Sequence, residues 1–311
     1  MAKQLEYLES SRSVRRTRLA DALIAKLEED RRAVVTHYDL FQLLRQLFGP
    51  ENRKKLYLRN NTPDVEELRR VTFNLLKTGG LAIDRDYGRS LYRVLPAGES
   101  NAEEVTALAN PFGHISHLSA MQRWGLTERR PEALHLTMPR PSTAPLLMEA
   151  RMAADYGARN DIVASSLPVK MRFIRHPKEV RGRKISIYET KHPTRWLQVQ
   201  DSHARLATVG QTFVDTVERP QYSGGMAHVI DVWRKHAAIF SEEIISTIDE
   251  IGTPIGKVRA GYLLDEVAED IKDLRVMAWV AFAQRGSSRV LDPTKDFGPR
   301  YSEKWMLSIN V

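Results

Sequence analysis

No cysteine occurs in the 311 residues. That absence excludes disulfides, thiolate zinc sites and a cysteine nucleophile, and it fits a reducing cytoplasm, the expected location. Long apolar runs are also missing. No stretch approaches the roughly 18 residues that a membrane helix needs, and the opening MAKQLEYLES has no apolar core of secretory-signal type. Nucleophile elbow, Walker loop, HExxH and dinucleotide fingerprint are all absent. What remains is 42% hydrophobic and 28% charged residues, enough for a sizeable core. At this length two domains fit better than one.

The net charge of +8 is unevenly spread. Residues 1–95 hold 19 basic and 13 acidic side chains, residues 96–210 hold 16 and 11, and residues 211–311 hold 12 and 15. The basic excess therefore lies in the first two thirds, and a polyanion such as DNA or RNA is a natural partner for it.

Apolar spacing in the N-terminal third predicts three helices. Leu19, Leu23, Ile24 and Leu27 form one helix face. Val34 and Val35 suit a short strand, after which Thr36 can cap a helix burying Leu40, Leu43, Leu44 and Leu47, ended by Gly49-Pro50. A third helix is expected with Thr62 as cap, Pro63 in its first turn and Gly79-Gly80 at its end. Its stripe of Val65, Leu68, Thr72, Leu75 and Leu76 leaves Arg69, Arg70, Asn74 and Lys77 outward. Leu81–Asp84 and Ser90–Leu95 read as a β-hairpin. Three helices and a basic hairpin follow the order of a winged helix-turn-helix. In that arrangement Arg53, Lys54, Lys55 and the wing residues Arg85, Tyr87, Arg89 and Arg93 would grip phosphates of double-stranded DNA. Arg69, Arg70, Asn74 and Lys77 would read base edges. The expected fold is α+β: a winged-helix domain over residues 1–97, then a polar helix opening a larger mixed α/β domain over 98–311.

The stretch GHISHLSAMQRWGLTERRP (113–131) sets His114 and His117 three apart. On one helix these would be neighbours, but no third ligand accompanies them, so no metal is expected. Ile115, Leu118 and Met121 recur every three residues, Ser116 can cap and Gly125 can close, as in a short docked helix with Trp124 beside it. Farther on, Phe213, Val214 and Val217 form the inward side of a helix that Arg219-Pro220 ends before a turn at Gly224-Gly225.

Three segments carry a resemblance. Leu118-Ser119-Ala120-Met121 with Trp124-Gly125-Leu126-Thr127, then Thr212, Asp215, Arg219, Pro220, Gly224 and Gly225, then KVRAGYLLDEV (257–267) with EKWMLSINV (303–311), resemble in order the motifs of AbiEi-family antitoxins. Gln211 stands where the family usually has a basic residue, and His114 and His117 flank the first motif. The resemblance implies a cytoplasmic DNA-binding autorepressor and antitoxin of a type IV toxin–antitoxin or phage-defence system. Its winged helix would bind operator inverted repeats, and its C-terminal domain would neutralise a nucleotidyltransferase-like toxin without a stable complex. Neither catalytic residues nor a cofactor are implied.

Two segments keep other classes open. Glu189-Thr190-Lys191 ends an alternating run and matches half of a restriction-type nuclease core, which would need a second carboxylate such as Asp161 to hold Mg²⁺. VKMRFIRHPKEVRGRK (169–184) carries Lys170, Arg172, Arg175, Lys178, Arg181, Arg183 and Lys184 against Glu179 alone, with Val169, Met171 and Phe173 alternating as in a strand. It reads as a solvated face or as a second basic surface serving the antitoxin. A ligand-sensing regulator with no neighbouring toxin is the third alternative.

Overall fold

Thr17 opens the first helix, α1 (Arg18–Glu29), its hydroxyl accepting the amide of Ala20. The computed structural model describes residues 15–157, 168–268, 271–286 and 289–311. After α1 come β1 (Val34–Thr36) and α2 (His37–Leu47), capped as expected by Thr36. A short α3 (Pro50–Leu56), α4 (Val65–Lys77), β2 (Leu81–Asp84) and β3 (Gly88–Val94) follow. Two local expectations shift. Pro50 starts a helix as well as ending one, because proline suits a first helical position. The cap of α4 is Asp64, whose carboxylate accepts the Glu67 amide at 2.7 Å, rather than Thr62.

The strands form an antiparallel sheet in the order β1-β3-β2, with Val34 opposite Arg93 and Leu81 opposite Val94. Leu23, Leu27, Leu40, Phe41, Leu44, Leu68 and Leu75 make the core beneath it, all fully buried. Each such side chain stabilises the fold by roughly 1.5–3 kcal/mol of transfer free energy.

The chain divides into two compact units, and not by one cut near residue 97. Unit 1 is Met1–Pro111 with Pro141–Gly182, and unit 2 is Phe112–Arg140 with Arg183–Val311. The reason lies in packing: Met152 on α7 (Ala144–Tyr156) and Val169 join the N-terminal apolar core. Helix α5 (Ala102–Ala109), expected to be polar, buries Ala102, Val105, Thr106, Ala107, Leu108 and Ala109.

Unit 2 pairs a mixed sheet with helices, so the chain as a whole is α+β. Its strands are β4 (His114–Ile115), β5 (Ala133–Pro139), β6 (Arg183–Thr190), β7 (Trp196–Gln198) and β8 (Arg205–Ala207), in the order β6-β5-β4-β8-β7. β5 and β6 run parallel, with Thr137 opposite Tyr188, while β4 lies antiparallel to β5, with His114 opposite Thr137. Helices α6 (His117–Arg123), α8 (Val209–Glu218), α9 (Met226–His236), α10 (Ser241–Ile251) and α11 (Pro254–Tyr262) supply the helical layer. Phe213, Trp233, Ile244, Leu263, Trp279 and Trp305 lie in its core. Among the described residues, no helix is long and apolar enough to cross a membrane.

Candidate nucleic-acid interface and a buried histidine cluster

Helix α4 buries Leu68, Val71, Thr72 and Leu75 and turns Arg69, Arg70, Phe73 and Lys77 to solvent. Arg69 donates to Glu66 at 2.9 and 3.1 Å, and Arg70 to Glu67 at 2.9 Å. Arg69 holds the Glu66 carboxyl below its ordinary range. These are exposed pairs that contribute little to stability, so exchanging the carboxylate for a phosphate or a guanine edge costs little. Asn74 is differently placed. Its amide accepts from the Thr17 N–H at 3.2 Å and donates to the Arg15 carbonyl at 3.3 Å, pinning the chain ahead of α1. The base-edge role expected for Asn74 is therefore corrected to an internal one. Phe73, 60% exposed beneath the Lys77 ammonium, was not singled out in the sequence. Its signal was there: it falls four residues after Arg69 and three after Arg70, off the buried stripe.

Lys54 and Lys55 lie exposed on α3, and Arg53 bonds the Asn61 side chain. On the hairpin Arg85 and Arg89 are exposed and Arg93 is half-buried. Tyr87 does not belong with them. Its ring is buried, its hydroxyl lies 2.8 Å from His176 Nδ1, and burial pushes its phenol pKa up. A phosphate contact from Tyr87 is thus corrected to an internal one.

The basic stretch after α7 is not a strand over residues 169–174. It is tied down through single bonds instead: Tyr156 donates to the Val169 carbonyl at 2.6 Å and Asn110 to the Ile174 carbonyl at 2.9 Å. Alternating side chains without a partner ladder gave the wrong element. Lys170, Arg172, Arg175 and Lys178 are exposed in unit 1, while half-buried Arg183 and exposed Lys184 open β6 in unit 2. Arg181 leaves the set. Its side chain is 9% exposed and closes on Asp84 at 2.5 Å and on Asp86. One continuous seven-cation surface is therefore corrected to two groups and an internal ion pair.

In unit 2 the two histidines of the opening motif stand on different elements. His114 is in β4, while His117 begins α6 with φ 49°, a left-handed backbone that no helix interior would allow. The His117 ring packs edge-on against Tyr188 at 5.2 Å and Tyr222 at 5.4 Å, 6.4 Å from His135, and its Nδ1 lies 2.8 Å from Ser116 Oγ. Burial pushes the conjugate acids of His114 and His117 down to about 3, so both are neutral. Beside them Asp215 accepts from Gln211 at 2.8 Å, and burial pushes its carboxyl up to about 7. His114 Nε2, His117 Nε2 and Asp215 Oδ2 are buried without a hydrogen-bond partner among the described residues.

The rings of this cluster pack against one another. Among the described residues no group of three histidines or carboxylates is arranged to hold a metal ion. Glu189 and Lys191 are exposed at the end of β6, and Asp161 lies outside the described residues.

The three motif segments meet within unit 2. Trp124 donates to the Ala207 carbonyl at 2.9 Å, and Arg129 to the Gly224 carbonyl at 3.0 Å. Arg259 reaches the Val217 carbonyl at 3.2 Å and the Val290 carbonyl at 2.9 Å. The Trp305 indole donates to Asp265 at 3.0 Å and lies against Gly261.

No family model matches the chain, and no curated protein matches it. Among solved structures it is similar to the one described as the crystal structure of RV2827C protein from Mycobacterium tuberculosis. The identity is 15% and the TM-score 0.47, over 94% of this chain and 92% of that one.

Proposed function

We propose that the chain is a DNA-binding autorepressor and antitoxin of AbiEi type, with a winged helix-turn-helix in unit 1. The observation that carries the DNA reading is the placement, on one side chain stripe of α4, of Arg69, Arg70, Phe73 and Lys77, all exposed and held only by surface pairs. Helix α4 would enter the major groove, while Arg85 and Arg89 on the hairpin and Lys54 and Lys55 on α3 contact the flanking phosphates. The antitoxin half rests on the motif resemblance, supported by the bonds from Arg129 to Gly224 and from Arg259 to Val217 that bring its segments together in unit 2. Its partner would be a nucleotidyltransferase-like toxin.

A mobility shift on the duplex upstream of the gene tests the first half. Binding should weaken steeply as salt rises, because each phosphate contact releases a counterion. No retardation at modest ionic strength would overturn it. Growth rescue on co-expression with the adjacent gene product tests the second half.

A further inference from the structure

Unit 1 contains a cavity of about 1070 Å³, and of its lining cations the DNA reading uses Arg89 alone. One wall is the hairpin with Arg89 and Tyr92, and the other is the segment 168–177 with Lys170, Arg172, Phe173 and Arg175. The start of α2, from Thr36 to Asp39, closes one side. Its size lies just above the roughly 300–1,000 Å³ typical of small-ligand sites.

Charge sets the ligand class. The lining holds four strong cations, Arg89, Lys170, Arg172 and Arg175, against two carboxylates. Both carboxylates are engaged: Asp86 is bound by Arg181, and Asp39 accepts the Thr36 hydroxyl at 2.6 Å. None of the four cations forms an ion pair among the described residues, which leaves them available to an anion in the concavity. His37, on the same lining, is held below the ordinary imidazole range by burial and then by the Arg172 charge. The walls are also held in place, through Tyr87 to His176, Tyr156 to Val169 and Asn110 to Ile174. Tyr92 and Phe173 add half-buried ring surface. Guanidinium groups take phosphate oxygens bidentately, and flat rings take a base. A duplex, with its bases stacked inside, could offer such a concavity only its backbone.

We propose that this cavity binds a free nucleoside polyphosphate, its phosphates on Arg89, Lys170, Arg172 and Arg175 and its base against Tyr92 and Phe173. Arg89 is shared with the proposed hairpin contacts to DNA, so occupancy is measured on the full chain without DNA, where the operator reading does not enter. Isothermal titration would use ATP, GTP, CTP and UTP in turn, beside the matching nucleosides, inorganic pyrophosphate and a short single-stranded oligonucleotide. At least one triphosphate should bind more tightly than its nucleoside and than pyrophosphate. Arg172→Glu/Arg175→Glu on one wall, and separately Arg89→Glu on the other, should each weaken it by roughly tenfold or more. All three side chains are exposed, and unchanged melting of the variants verifies their folding. The proposal is overturned if no triphosphate binds, if pyrophosphate binds as well as any triphosphate, if both variants keep wild-type affinity, or if only the oligonucleotide binds.

Discussion

The guanidinium of Arg181 bridges Asp84 and Asp86, which lie 97 and 95 residues upstream on the β-hairpin. Burial alone would raise the Asp84 carboxyl, but the bond from Arg181 and the amides of Asp86 and Tyr87 hold it below its ordinary value. The hairpin is thus fixed from inside unit 1 by a side chain that, from its neighbours in sequence, belongs to a solvent-facing cluster.

Arg181→Met should therefore destabilise the protein by about 3–5 kcal/mol, because Asp84 is left buried and unpaired. Adding Asp84→Asn should recover part of the loss. Lys184→Glu, on an exposed side chain, should stay within about 0.5 kcal/mol of wild type. Denaturant titrations at neutral pH measure all three. The pair's contribution is present above the unfolded carboxylate value and is lost as pH falls through the lower folded one. An Arg181→Met protein as stable as wild type would show the pair to be dispensable.

Asp215 has the opposite sign. Its folded-state carboxyl is pushed up to about 7, first by burial, with Gln211 working against it. Stability from this group is full below the unfolded value and lost as pH rises through about 7. The neutral histidines His114 and His117, pushed down to about 3, lose stability as pH falls below their unfolded value. The two effects oppose each other over mildly acidic pH, so the wild-type melting curve alone does not separate them. The difference between Asp215→Asn and wild type does. Its melting temperature relative to wild type should rise from pH 5 to pH 8, and a flat difference would sink this account.

Local features are legible in this sequence, and long-range contacts are not. Thr36 as a cap, the stripe of Leu68 and Leu75 and the hairpin all depend on neighbours within a few residues, and the structure holds each of them. The failures came from contacts far apart in sequence. The strand reading of 169–174 needed a partner ladder that alternation cannot reveal. Arg181, Tyr87 and Asn74 all look like free polar groups until Asp84, His176 and Arg15 are brought to them. A three-residue spacing suits one helix, but His117 has a left-handed backbone at the start of α6 and packs against Tyr188 and Tyr222, contacts far away in sequence. Among the cations expected on α3 and α4, Lys54, Lys55, Arg69, Arg70 and Lys77 are exposed, because helical periodicity decides which way they face.

Gly261 in α11 joins the two halves of the third motif segment. A Cβ there would lie 2.2 Å from the Trp305 ring, which is itself fully buried. Gly261→Ala should cost about 1–3 kcal/mol despite the helix preference for alanine, since the core indole must shift. Shrinking the ring with Trp305→Phe should reduce that penalty in the double variant. Additive effects of the two substitutions would mean that they do not touch.

The outer face of α4 allows stability and recognition to be separated residue by residue. Arg69→Ala and Arg70→Ala break only exposed pairs, so both proteins should melt within about 0.5 kcal/mol of wild type. If either side chain reads a base, operator affinity should fall by about 1–3 kcal/mol, with discrimination relaxed at one position. If it holds a phosphate, affinity falls on every sequence and the salt slope drops by about one. Phe73→Ala removes no charge, so any loss of binding should leave the salt slope unchanged, as expected for contact with a thymine methyl. Asn74→Ala is the internal control. It gives up two bonds to the chain ahead of α1, each contributing about 0.5–1.5 kcal/mol, and should lower stability without altering base preference. Mobility shifts on operator variants at two salt concentrations, paired with melting curves, decide among these outcomes. An Asn74→Ala protein of wild-type stability that no longer distinguishes operator sequences would return Asn74 to the groove and displace this arrangement of the helix.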